Sequence, residues 1–127
     1  MEAGWAMECS LFTLVGIATV YAEPYIGQPL YCGGLYDVDM SPWIALPVGT
    51  DWQCGDPVRL RFEDGSTLTA RAMDAGPFGA FCVKQPDGAC LPIIVDIPAH
   101  LAPFPLSGPV ELNNLGEAAR KCLAVEK

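Results

Sequence analysis

The sequence has no apolar run approaching the roughly 18–20 residues that a membrane-spanning helix needs, although 51% of its 127 residues are hydrophobic. It is also short of bases, with seven Lys and Arg against fifteen Asp and Glu and a net charge of −8. A nucleic-acid backbone is held by a basic stripe, and no such run occurs, so nucleic acid is not an expected partner. There is a single histidine, His100, with no cysteine near it, and no Cys-x-x-Cys motif. No metal site and no cofactor are therefore expected. Internal repeats and low-complexity segments are absent as well.

Glycine and proline are abundant, 13 and 12 residues. Proline scattered after Pro24 argues against long helices and favours short strands joined by shaped turns. The length suits one domain with a core of its own. Six cysteines, at positions 9, 32, 54, 82, 90 and 122, form an even set in a small loop-rich chain. Such a set points to disulfides and an oxidising setting: extracellular, periplasmic or cell-envelope, or a virion surface. Cys82 and Cys90 flank a hairpin-like loop and are expected to pair. Cys9 and Cys122 lie near the two ends, which leaves Cys32 with Cys54. This is one of many pairings that six cysteines allow.

Residues 11–22 are apolar enough for a leader core, but Glu2 and Glu8 precede them without any Lys or Arg. That is the wrong sign for a signal sequence, so the stretch reads as a buried first strand, Leu14 to Ala22. A long irregular stretch follows, Glu23 to Asp51. Its aromatics, Tyr25, Tyr31, Tyr36 and Trp43, with Trp52 just beyond, suit either a sugar-stacking wall or core packing. Pro57 to Glu63 and Thr67 to Ala72 both alternate apolar and polar. They form a hairpin with one buried face, in which Phe62 is expected opposite Leu68 and Leu60 opposite Ala70. Its turn then holds three residues, or two and a bulge.

Pro92 to Ile97 reads as a core strand, Pro98 to Ala102 as one helical turn, and Gly108 to Asn113 as a closing strand. Gly116 to Val125 reads as a short helix or tail. The expected fold is mostly β: a small six-stranded β-barrel, disulfide-stapled, with short helical turns. It occupies residues 14–114, after an extension at 1–13 and before a tail at 115–127. Within it, Arg71 to Phe78 runs a strand into Asp74 and then turns at Gly76-Pro77, placing a carboxylate where the strand ends.

The order of motifs resembles double-psi β-barrel domains of the rare lipoprotein A type, and more distantly expansins and barwin. Gly16-Ile17-Ala18-Thr19-Val20-Tyr21 is similar to the family's opening Gly-x-Ala-Ser/Thr-x-Tyr strand. Tyr31 to Asp37 sits where the family has an Asn-Gly-Glu-x-Tyr/Phe-Asp loop. Leu46-Pro47-Val48-Gly49-Thr50 matches its Leu-Pro-x-Gly-Thr segment. Gly65 to Phe78 resembles its Asp-Arg-Gly-Pro-Phe block, with Ala75 for Arg. Ile94 to Leu101 looks like its Ile-Asp-Leu-Ser helix entry, and Cys32-Gly33 and Cys54-Gly55 are more expansin-like. The resemblance covers residues 16–113.

It implies a double-psi topology and a role on cell-wall glycan. Some members are lytic transglycosylases of peptidoglycan; others, including expansins, loosen polysaccharide without hydrolysis. The lytic members' general acid and base falls on Asp74, with Asp96 as a weaker supporting carboxylate and Phe78 helping to bury Asp74. Two positions depart from the lytic pattern: Gly34 stands for its Glu and Trp43 for its His. A second expectation is therefore a non-catalytic carbohydrate-binding module, with Trp43, Trp52, Tyr25 and Tyr36 around the Asp74 cleft. A third is a structural protein of a surface layer or virion, with homo-oligomer or assembly neighbours as partners.

Overall fold

A computed structural model describes residues 13–21, 29–35 and 42–126. Its strands, in chain order, are β1 (Leu14–Tyr21), β2 (Trp43–Pro47), β3 (Pro57–Phe62), β4 (Thr67–Gly76), β5 (Cys82–Lys84), β6 (Cys90–Pro98) and β7 (Ser107–Asn114), followed by helix α1 (Leu115–Glu126). All seven strands belong to one sheet in the order β1-β7-β3-β4-β2-β6-β5. Because β6 also pairs with β1, the sheet closes into a ring with β5 appended outside it. Among the described residues seven strands replace the six expected: β2 lies in the stretch 23–51 that reads as irregular, and β5 is the first arm of the Cys82–Cys90 loop, whose Val83 pairs with Leu91.

Alternation builds the core. Ile44 and Leu46, Val58 and Leu60, Ala70 and Ala72, Val95 and Ile97, and Val110 and Leu112 all turn inward into one buried cluster. A period of two sends their neighbours to the outer face. The β3–β4 hairpin keeps the expected faces but not the expected register, because Leu60 lies opposite Leu68 and Val58 opposite Ala70. The turn is Glu63-Asp64-Gly65, closed by Phe62 N–H donating to the Ser66 carbonyl. Gly65 takes the left-handed conformation (φ 88°) that a three-residue turn requires at its last position. Asp64 reinforces the turn by accepting hydrogen bonds from Ser66 N–H and Oγ.

Two parallel pairings, β1 with β6 and β2 with β4, each contain an irregularity. In the first, β1 and β6 approach so closely that a Cβ at Gly16 would lie 2.6 Å from the Pro92 carbonyl oxygen. In the second, Ile44 pairs with Ala72 and Ala45 with Asp74, so Met73 is bulged out.

Helix α1 docks through charge. Asp56 is buried, and its carboxylate accepts from Arg120 Nη1 and Nη2 (2.6 and 3.0 Å), Asn114 Nδ2 and Gln53 N–H. Asn114 also caps the helix, its Oδ1 accepting from Glu117 N–H. Burial pushes the Asp56 carboxyl up, but bonds from Arg120, Gln53 and Asn114 outweigh it and hold it below the usual range. A depressed acid adds stability above its ordinary value, and that stability is lost as pH falls through the lowered one. Asp56→Ala is expected to cost about 2–3 kcal/mol, since it leaves Arg120 without its partner. Urea melts of both proteins at pH 7 and at about pH 3 check this: the stability lost in the variant relative to the wild type should be smaller in acid.

Both disulfides that fall within the described residues match expectation: Cys32–Cys54 and Cys82–Cys90. The proposed Cys9–Cys122 pair lies outside them, as do the side chains of Tyr25 and Tyr36. No helix is long and apolar enough to cross a membrane among the described residues.

Candidate functional site

The outer face of the ring carries a row of residues across four neighbouring strands. Thr19 on β1 pairs with Asp96 on β6, Asp96 with Ala45 on β2, and Ala45 with Asp74 on β4. Adjacent strands lie about 4.8 Å apart, so the two aspartates sit about 10 Å apart at Cα, with the fully buried Ala45 on the strand between them. Asp74 reaches this face through the bulge. Counting by twos from Leu68, Ala70 and Ala72 would turn it inward, and the extra residue at Met73 reverses the parity.

The two carboxylates have different surroundings. Asp96 Oδ1 accepts from Thr19 Oγ1 at 3.0 Å. Burial is the largest influence on Asp96, and with the nearby charge of Asp74 it raises the carboxyl to about 6 against the hydrogen bonds from Thr19 and the Ile97 backbone. Asp74 Oδ1 accepts from Tyr31 N–H at 2.8 Å, a contact from across the chain rather than from its own turn. Burial therefore keeps the Asp96 carboxyl protonated in mildly acidic solution.

The loop at 29–35 makes the second wall. Its Cys32 N–H donates to the Met73 carbonyl (2.9 Å), and Cys32 is bonded to Cys54 in the next loop. Gly33 and Gly34 both have positive φ, 103° and 81°, which favours glycine over the Glu of the lytic pattern at position 34. The disulfide brings Tyr31 beside Trp52, with ring centroids 6.1 Å apart and tilted by 57°. Both line a cavity of about 330 Å³ together with Thr50, Gln53 and Ala75, the residue after Asp74. Trp52 is held in place by its Nε1–H donating to the Pro47 carbonyl (2.9 Å).

Among the other expected site residues, Trp43 is 1% exposed and packs with Leu30 and Met73. It cannot present a stacking face. It forms a small second core that seats the 29–35 loop against β4. Phe78, half-buried, folds its ring back over Gly76, where a Cβ would lie 2.7 Å from it. His100 is exposed in the turn after β6. Thr19 completes the row and was not singled out by the sequence, whereas Tyr31 was expected only as an aromatic of the wall and not as the backbone donor to Asp74. Their partners, Asp96 and Asp74, lie 77 and 43 positions away. No group of three or more His, Cys, Asp or Glu able to hold a metal ion occurs among the described residues.

No protein-family model matches the chain, and no curated protein matches it.

Proposed function

We propose that this chain is a double-psi-type module acting on cell-wall glycan, with Asp96 as general acid and Asp74 as the neighbouring carboxylate. The double-psi reading is supported by the closed ring and its two parallel pairings, β1 with β6 and β2 with β4. Two disulfides are consistent with an oxidising setting outside the cell. The observation that carries the functional reading is Asp96: a half-buried carboxyl raised to about 6 and oriented by Thr19, beside a second acid. A proton donor of that kind suits cleavage of a glycosidic bond.

In that role Asp96 gives its proton to the leaving glycosidic oxygen as the bond to the anomeric carbon breaks. The Asp74 charge faces the cationic transition state that develops. In a lytic step, a muramoyl 6-hydroxyl closes on the anomeric carbon and its proton returns to Asp96. Tyr31 and Trp52 offer the aromatic surface for a neighbouring sugar ring. A peptidoglycan sacculus incubated at about pH 5 is expected to release anhydro-ended fragments, and Asp74→Asn to release them at least roughly 10-fold more slowly. Intact sacculi after incubation with the wild type would sink the catalytic reading.

A second reading is favoured by the absent Glu and His of the lytic pattern at Gly34 and Trp43. It keeps the groove but only binds glycan, through Tyr31 and Trp52. Sedimentation with insoluble peptidoglycan, without product release, would select it.

A further inference from the structure

We propose that the outer face of β3 and its two neighbours binds a linear polysaccharide bearing carboxylate groups. This inference rests on the glycan-directed reading above and adds the charge of the polymer.

Val58, Leu60 and Phe62 are buried, so Arg59 and Arg61 alternate outward and are exposed. Register sets Arg59 between Thr69 and Asn113, and Arg61 between Thr67 and Glu111. Arg71, also exposed, pairs with Pro57 and so stands diagonally next to Arg59. Three of the chain's seven bases thus share one sheet face in a protein of net charge −8. Glu111 is the acid in register with them, which leaves the cluster positive. Arg120 is engaged by Asp56, and Lys121 by Glu117. Arg71 Nη1 donates to the Gly55 carbonyl. Arg59 and Arg61 make no ion pair and no side-chain hydrogen bond among the described residues.

Arginines two apart on a strand stand about 7 Å from each other, and the diagonal neighbour lies at a similar distance. The short side chains of Thr67, Thr69 and Asn113 leave the guanidinium groups standing clear and add hydroxyl and amide partners. A guanidinium fork matches a carboxylate with two parallel hydrogen bonds. A chain carrying one carboxylate per repeat can engage several forks at once, so each contact after the first is intramolecular. Arg71 also precedes Asp74 by three residues on β4, which makes this face continuous with the carboxylate row.

Binding of polygalacturonate to the full chain, followed by titration calorimetry at about 50 mM salt, tests the assignment. The wild type should bind. The Arg59→Gln/Arg61→Gln double variant should bind at least roughly 10-fold more weakly with unchanged thermal melting, and about 500 mM salt should abolish the wild-type signal. Lys84→Gln, on the stapled hairpin, should bind as the wild type does. The assignment is overturned if the wild type does not bind, if the double variant binds equally well, or if Lys84→Gln weakens binding as much. It is likewise overturned if neutral dextran or duplex DNA binds as tightly. The outcome separates from that of the sacculus assay: an inactive protein that binds through its arginines loses only the catalytic reading. A cleaving protein indifferent to polygalacturonate loses only this one.

Discussion

Asp96→Asn is expected to remove glycan cleavage, slowing it by roughly 10²–10⁴-fold, because the amide cannot donate an acidic proton to the leaving oxygen. Wild-type activity should fall about tenfold for each pH unit above the Asp96 value of about 6. The same variant should be more stable than the wild type at pH 7. The sign follows from the direction of the shift. The folded carboxyl is raised above its ordinary 3.8, so the folded state binds more protons than the unfolded one between those values. Stability therefore falls as pH rises from about 4 to about 6 and stays low above it. An asparagine removes that dependence while its Oδ1 still accepts from Thr19. Parallel measurement of sacculus turnover and denaturant midpoint across pH 4–8 checks both arms. A variant as active as the wild type, or one that keeps the slope in stability, would remove Asp96 from the role.

Trp43→Ala is expected to cost about 3–5 kcal/mol, the range for truncating a buried large aromatic. The melting temperature should fall by roughly 10 °C or more. A solvent-facing stacking residue would behave otherwise, losing glycan binding with the melt unchanged. The reason lies under the 29–35 loop. Trp43 is the floor on which Leu30 and Met73 rest, and that loop supplies the Tyr31 N–H to Asp74. Trp43→Phe keeps most of the packing and should recover most of the stability. Calorimetric melts of the three proteins decide between floor and platform.

Much of the fold was legible locally. The alternation in β3 and β4 fixed which residues turn inward, and the strand expected over Pro57 to Glu63 ends one residue earlier, at Phe62. The Cys82–Cys90 bond closes a loop short enough to read directly. The hairpin register was missed by one pair, although the face was right. Alternation fixes parity, whereas the turn conformation at Gly65 fixes the offset. β2 showed no alternation because it is covered twice, by the core inside and by the 29–35 loop over Trp43 outside. A strand buried on both faces reads as a plain apolar run.

Asp74 drew attention as the end of a strand before a Gly-Pro turn, and the structure does place it on the carboxylate row. Its route there was not legible, since a one-residue bulge at Met73 depends on how β4 meets β2. Trp52 was legible as an aromatic of the groove, but its neighbour Tyr31 is brought to it by the Cys32–Cys54 bond.

The sequence by itself determined the strand periodicity, the hairpin, the stapled loop and the presence of an acid at a strand end, and it left the last segment as a helix or a tail. Each of these depends on residues a few positions apart, where hydrophobic period, turn chemistry and chain length act directly. Tertiary structure alone decided which aspartate has its carboxyl raised by burial and which aromatics line the cavity. It also decided that three arginines scattered from 59 to 71 form one positive face. Burial, hydrogen bonding and charge act through distance in space, and the ring closure of β1 onto β6 brings together groups that the chain keeps far apart.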